Sequence, residues 1–229
     1  MTIIREERIG GQRLILGDCL AVMPGLGRFD AVVTDPPYGI DYGRAGGFSA
    51  THGWGQWREN VAWDQERPSR EVFDLILSCS KEQIIWGGNY FADLLPPTMR
   101  WLSWDKGQRD FSLADFELAW TSQHKAARAF EYARGKAVRD GKVHPTQKPI
   151  ALMEWCLGFL PDAVTVLDPF AGSGTTAVAC QRMGRQCTAI ERDPDYFEAM
   201  CRRVDEAARQ PDLLIAPPKP QPVQEGFDL

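Results

Sequence analysis

The sequence predicts an α/β protein built on an open, mostly parallel twisted sheet of about seven strands with helices on both faces. Three observations carry this. Short, nearly continuous apolar runs such as Leu14-Ile15-Leu16 and Ala31-Val32-Val33 suit strands buried on both faces. Such runs alternate with segments of helical periodicity. One stretch, residues 163–190, reads as a complete strand–turn–helix–strand unit.

Taken in order, Gln12–Gly17 and Phe29–Asp35 are strands joined through a brief helix at Cys19–Met23. Gly39–Asn60 is too rich in glycine for a regular element and reads as a long loop, of the kind that is usually functional or disordered. Ser69–Ser80 carries Val72, Phe73, Ile76 and Cys79 at helical spacing, with Ser69 placed as N-cap. Gln83–Trp86 is a strand and Asn89–Leu95 a short helix stopped by Pro96-Pro97. Arg100–Trp104, Phe116–Thr121 and Ala127–Tyr132 read as strands, the last two as a hairpin. Pro149–Leu160 is a helix opened by its proline. The clearest unit follows: strand Ala163–Leu167, turn Asp168–Gly174, helix Thr175–Met183 and strand Gln186–Ile190. Helix Pro194–Arg209 closes the fold with an apolar face of Tyr196, Phe197, Met200, Cys201 and Val204.

Composition agrees with one folded domain. The 229 residues are 44% hydrophobic and 25% charged, enough for one sizeable core and unlike a disordered or coiled-coil chain. Residues 1–209 are expected to form the single domain. The tail 210–229, with prolines at 211, 217, 218, 220 and 222 and an acidic bias, reads as disordered. No apolar window is long enough for a membrane span, and Met1–Arg13 lacks a signal-peptide core, so a cytoplasmic address is expected. Six scattered cysteines read as buried free thiols, and three distant histidines give no metal-ligand spacing. Net charge is −5, yet Gln123–Lys148 holds seven basic residues against two acids, a candidate phosphate footprint on an acidic body.

In such a sheet ligands bind beyond the carboxyl ends of the strands. Three predicted strands end in an acid, Asp18, Asp35 and Asp168, and these are expected to converge on one crevice. Asp168-Pro169-Phe170-Ala171-Gly172-Ser173-Gly174-Thr175 follows a strand and opens a helix, so its glycines permit a tight turn and close approach to a ligand. Glu191 closes the next strand, 19 residues after Gly172, where an acid can bind both hydroxyls of a ribose. The third glycine of a dinucleotide loop and the Gly-Lys of a P-loop are missing, so a nucleoside without a polyphosphate is the better fit. Asp35-Pro36-Pro37-Tyr38 offers a rigid carboxylate, a carbonyl and a flat ring. Two acceptors match an exocyclic amine, and the ring matches a base taken from its stack.

These segments resemble the S-adenosylmethionine-dependent amino-methyltransferases of DNA. Asp35–Tyr38 is similar to that family's D-P-P-Y tetrapeptide and Phe170–Gly174 to its F-x-G-x-G cofactor loop. His144-Pro145-Thr146-Gln147-Lys148-Pro149 resembles the segment preceding that loop in the permuted, beta-type group. The resemblance covers about residues 12–205 and implies a Rossmann-like methyltransferase fold. Asp35, Pro36, Pro37 and Tyr38 would then be catalytic. Glu191 would hold the cofactor ribose. Asp168, Gly172 and Gly174 would line the methionine end, Phe170, Ala171 and Thr175 would also bind the cofactor, Asp18 and Cys19 would meet the adenine, and Thr146 and Lys148 the cofactor carboxylate. The implied partner is double-stranded DNA with the target base flipped, in a bacterial or phage setting. An initial Asp rather than Ser favours adenine N6 over cytosine N4. No Pro-Cys occurs, which argues against cytosine-C5 chemistry. RNA or glutamine methylation and a non-catalytic DNA-binding subunit are the competing readings.

The sequence departs from the family in one respect: only the short basic stretch 134–143 stands where many members carry a large target-recognition insert. Direct readout needs several positioned side chains. Low specificity or a very short target is therefore expected, unless a homodimer supplies the rest. Lys136, Arg139 and Lys142 would bind phosphates, and Arg44 and His52 would close over the flipped base.

Overall fold

A computed structural model of the chain describes residues 2–40, 64–107, 109, 114–133 and 147–209. Nine strands form one sheet: β1 (Ile3–Ile9), β2 (Gln12–Gly17), β3 (Phe29–Thr34), β4 (Ser80–Trp86), β5 (Trp101–Asp105), β6 (Phe116–Thr121), β7 (Arg128–Glu131), β8 (Thr165–Asp168) and β9 (Gln186–Glu191). Their spatial order is β1-β2-β9-β8-β3-β4-β6-β5-β7. Only β1 and β6 run against the others. The helices are α1 (Cys19–Val22), α2 (Arg70–Cys79), α3 (Ile150–Leu157), α4 (Thr175–Arg182) and α5 (Pro194–Arg209).

Helices cover both faces, as the two-sided apolar strands require. Alternate strand residues enter two separate cores. Leu14, Leu16, Ala31, Val33, Ile84 and Trp86 pack with α3, α4 and α5 through Leu152, Cys156, Val178, Phe197 and Met200. Ile15, Val32, Ile85, Leu167 and Ile190 pack on the opposite face with Val22 of α1 and with Val72, Phe73 and Ile76 of α2. All six cysteines are free thiols, and five are buried.

Three expectations need correction. The sheet has nine strands, and the additional N-terminal one is β1, whose Arg5-Glu6-Glu7-Arg8 centre gives no apolar signal. It is an antiparallel edge strand, where charge is tolerated and discourages edge-to-edge pairing. Glu6 there takes a bidentate ion pair from Arg13 of β2, at 2.8 and 3.0 Å. Residues 116–121 and 127–132 do not form a hairpin. β6 pairs antiparallel with both β4 and β5, and β7 crosses over to pair parallel with β5. The short helix expected at Asn89–Leu95 is a 3-10 turn at Gly88–Phe91, entered through Gly87 in the left-handed region (φ 70°). The tail 210–229 lies outside the described residues.

Candidate active site

Four neighbouring parallel strands, β2, β9, β8 and β3, end at one rim of the sheet. The residues at or just beyond those ends are Asp18, Glu191, Asp168 and Asp35. The anticipated convergence therefore has a direct topological basis. β8 lies against β3, with Ala31 opposite Val166 and Val32 opposite Leu167. Where the two strands end, the Thr34 hydroxyl donates to Asp168 Oδ1 at 2.7 Å.

Beyond β8 the chain turns through Asp168–Gly174. Asp168 is 3% exposed, and its Oδ1 also accepts the Phe170 N–H at 3.1 Å. Burial pushes its carboxyl up to about 6, against hydrogen bonds from Thr176 and Thr34 that favour the ionised form. Ala171 N–H donates to the Ile190 carbonyl (3.0 Å), and Gly172 N–H donates to Glu191 Oε2 (2.7 Å). Glu191 Oε1 accepts from the Asp193 N–H at 2.8 Å, so backbone amides orient both carboxylate oxygens. Burial raises the Glu191 carboxyl above its ordinary range. Gly174 sits at φ +81° as N-cap of α4, and a Cβ there would meet Met200 Cγ at 2.6 Å. Gly172, at φ +51°, would meet nothing within 4 Å: its outer side is open space. Ser173 and Thr175 are buried, with Arg203 of α5 donating to Ser173 Oγ at 2.9 Å from behind the loop. Asp18 is exposed and caps α1 through the Ala21 N–H at 3.2 Å. The neighbouring Cys19 thiol is pushed up to about 12 by burial and by Asp18, so it is unreactive.

Beyond β3, Asp35–Tyr38 is held by a dense polar cluster. Tyr38 hydroxyl donates to Asp35 Oδ1 (2.7 Å), and Lys148 Nζ donates to Asp35 Oδ2 (2.7 Å). Lys148 is 5% exposed. Its remaining partners are Glu117 Oε2 at 2.9 Å and the Tyr38 oxygen at 3.1 Å. Glu117 Oε1 in turn pairs with Lys106 Nζ at 2.7 Å. Burial disfavours charge throughout, and the ion pairs decide the outcome. Lys148 and Lys106 bring the Glu117 carboxyl down to about 2. Burial and Glu117 push Asp35 up, against Lys148. Lys148 stays cationic because its two carboxylates outweigh desolvation. Burial, followed by Asp35 and Glu117, keeps the Tyr38 hydroxyl protonated and thus a donor.

The tetrapeptide backbone is fixed too. Asp64, 2% exposed, accepts the N–H groups of Tyr38 (2.7 Å) and Gly39 (3.0 Å) on a single oxygen. The Tyr38 ring stacks on Tyr90 at 4.8 Å and 15°, with the edge of Phe91 against it. A Cβ on Gly87 would lie 2.1 Å from Tyr38 Cε1, so only glycine lets the ring settle there. Pro36 is buried and Pro37 half-buried.

The placement of Lys148 differs from expectation. Its ammonium is engaged by the tetrapeptide side and Glu117, because a buried cation is held where two carboxylates can compensate its desolvation. Its neighbour Gln147 does reach the Asp168–Gly174 turn, its Oε1 accepting from Ser173 Oγ at 3.3 Å. Asp64, Lys106, Glu117 and Gly87 are site residues that the sequence reasoning misses. Thr146, Arg44, His52, Lys136, Arg139 and Lys142 lie outside the described residues.

A doubly covered, mostly parallel sheet with a glycine loop and the carboxylates of Glu191 and Asp35 at one rim defines a Rossmann-like methyltransferase fold. The chain belongs to the DNA methylase family of N6-adenine and N4-cytosine enzymes, which it matches over residues 63–202. It is 28% identical over 155 residues to the type II methyltransferase M2.DpnII of Streptococcus pneumoniae, covering 64% of this chain and 50% of that protein. It is 30% identical over 153 residues to M2.MboI of Moraxella bovis, covering 64% and 49%. The chain thus spans about half the length of the curated relatives it matches. Its fold resembles that of M1.HpyAVI solved with SAM (TM-score 0.57, 19% identity, 85% of this chain and 99% of that one). It resembles equally the cytosine-N4-specific PvuII DNA methyltransferase (TM-score 0.57, 16% identity, 88% and 90%).

The family's cofactor is S-adenosylmethionine, and the residues present fit it. The open outer side of Gly172 leaves room for close approach. Glu191 stands beside it for a diol, and the loop presents no lysine for a polyphosphate. Among the described residues no helix is long and apolar enough to cross a membrane.

Proposed function

We propose that this chain transfers a methyl group from S-adenosylmethionine to the exocyclic N6 of adenine in DNA. The observation that carries the reading is the adjacency of the two halves. The acceptor carboxylate of Asp35 and the Gly172 loop follow neighbouring strands β3 and β8, which the Thr34–Asp168 hydrogen bond fastens at their ends.

S-adenosylmethionine, when bound, supplies a methyl group already electrophilic on a sulfonium. What remains for the protein is to improve a poor nucleophile and to aim it. An aromatic amine has its lone pair delocalised into the ring. Asp35 and the Pro36 carbonyl accept its two hydrogens, which draws the nitrogen toward tetrahedral geometry and localises the lone pair. Asp64 and the two prolines keep these acceptors from moving, and Lys148 keeps Asp35 in place. Proton loss follows transfer, so no strong base is needed. Glu191 binds the cofactor ribose and the Gly172–Gly174 turn admits its methionine end.

Adenine is preferred because the tetrapeptide opens with Asp35. The DNA is read as double-stranded with the target base flipped. Lys136, Arg139 and Lys142 are assigned to phosphates, Arg44 and His52 to the base pocket. The type II names of the relatives suggest a restriction-modification setting. The test is transfer of labelled methyl from S-adenosylmethionine to varied DNAs, followed by nucleoside analysis. N6-methyladenine is the expected product. Recovery of 4-methylcytosine would overturn the base assignment, and no transfer to any DNA would overturn the reaction.

A further inference from the structure

We propose that Glu117 is a positioning residue for the catalytic carboxylate. It anchors the Lys148 ammonium on Asp35 Oδ2 and offers Tyr38 a second acceptor, which reserves Asp35 Oδ1 for the target amine. This rests on the amino-group transfer proposed above and assigns work to a strand residue outside the tetrapeptide and the cofactor loop.

The argument is an allocation of hydrogens. An ammonium has three N–H bonds. Those of Lys148 have three oxygen partners: Asp35 Oδ2 (2.7 Å), Glu117 Oε2 (2.9 Å) and the Tyr38 oxygen (3.1 Å). None is left for Asp35 Oδ1. That oxygen instead accepts from the Tyr38 hydroxyl at 2.7 Å. A phenol proton can turn about its C–O bond, and Glu117 Oε2 lies 3.4 Å from the same hydroxyl. When the target N–H arrives at Oδ1, the Tyr38 proton can therefore turn to Glu117 without any heavy atom moving. Glu117 is itself immobilised, since its other oxygen pairs with Lys106 at 2.7 Å and its residue lies opposite Trp104 in the β5–β6 ladder. The charges Lys106, Glu117, Lys148 and Asp35 alternate in sign and sum to zero, as a half-buried cluster requires. Without Glu117, Lys148 would give its full charge to Asp35 and make it a poorer acceptor.

The titratable groups facing Asp35 are Lys148 ahead of α3, Glu117 on β6, Tyr38 on its own loop and Asp168 on β8, with Lys106 behind Glu117. Glu117→Gln removes the charge and keeps one acceptor oxygen, while the other becomes an NH2 donor facing a lysine. Glu117→Ala removes both, and Glu117→Asp is the conservative rescue. The full chain is assayed for single-turnover methyl transfer to DNA, for S-adenosylmethionine affinity by equilibrium dialysis, and for the Asp35 carboxyl by 13C NMR titration. Glu117→Gln should slow transfer about tenfold to a hundredfold, the range seen for groups that orient a ligand from behind. Cofactor affinity should be little changed, the Asp35 carboxyl and the acid limb of the rate profile should move to lower pH, and Glu117→Asp should recover part of the rate. Wild-type transfer and an unmoved Asp35 titration in Glu117→Gln would overturn the assignment. If the wild-type chain methylates no DNA, the reaction reading fails separately. The Asp35 titration then still decides the positioning role: a shift in Glu117→Gln supports it and an unmoved signal refutes it.

Discussion

Thr34 donates its hydroxyl to Asp168 Oδ1 across 2.7 Å, and 134 positions of sequence separate the two. The first residue precedes the Asp35–Tyr38 tetrapeptide and the second opens the Asp168–Gly174 turn. Thr34 is fully buried, so this bond forms out of water and fixes how the two segments sit against each other.

Thr34→Val keeps the shape and removes the donor. Asp168 then loses a bond that favours its ionised form, and the chain should be destabilised by about 1.5–3 kcal/mol, the usual worth of a hydrogen bond to a charged group. Denaturant midpoints at neutral pH measure this, and the Asp168 carboxyl should titrate at still higher pH. Unchanged stability would show the bond to be incidental.

Asp168 also makes a pH prediction. Its carboxyl is raised to about 6 in the fold from an ordinary value of 3.8, so between those values the folded chain holds a proton that the unfolded chain has lost. Stability contributed by this group is therefore full below pH 3.8 and declines as pH rises toward 6, by about 3 kcal/mol in all. Comparing denaturant midpoints of wild type and Asp168→Asn at pH 4.5 and 6.5 isolates it. The wild type should lose stability over that interval relative to the variant.

Gly87→Ala should be more damaging than an exposed glycine substitution. The new Cβ would fall 2.1 Å from the Tyr38 ring, at a left-handed φ that costs an L-residue about 1–2 kcal/mol by itself. Displacing Tyr38 takes its ring off Tyr90 and disturbs the tetrapeptide backbone that Asp64 holds. The expectation is loss of methyl transfer with retained S-adenosylmethionine binding, since Gly87 lies on the tetrapeptide side. Calorimetric titration with the cofactor checks the second half.

Salt should weaken DNA binding steeply if Lys136, Arg139 and Lys142 bind phosphates. Each alanine substitution should then lower the slope of log affinity against log salt by about one. A slope unchanged in the triple variant would remove these residues from the interface.

The legible parts of the fold were those whose signal is local. β2, β3, β6 and β9 follow apolar runs nearly residue for residue, because burial on one or both faces leaves its mark along the strand itself. β1 carries no such mark, since an edge strand needs only backbone pairing and its charges are met by Arg13 and by neighbours. The β6–β7 hairpin fails because proximity in sequence does not choose a partner: β7 finds the same-direction edge of β5 instead. The same division holds at the site. Asp35–Tyr38 and Phe170–Gly174 are contiguous and readable. Glu117, Lys106 and Asp64 are single residues in ordinary surroundings whose meaning comes only from what the fold brings near. Lys148 reaches Asp35 across 113 positions, and no spacing rule anticipates that its charge goes there.

The central claim is that Asp35 acts on the amine while the neighbouring loop independently holds the cofactor. Single-turnover methyl transfer and S-adenosylmethionine affinity, measured together in Asp35→Asn and Asp35→Ala, test it most directly. Transfer should fall by about a hundredfold or more, as for loss of an oriented transition-state hydrogen-bond partner, with cofactor affinity nearly intact. Turnover at the wild-type rate in either variant would contradict the account.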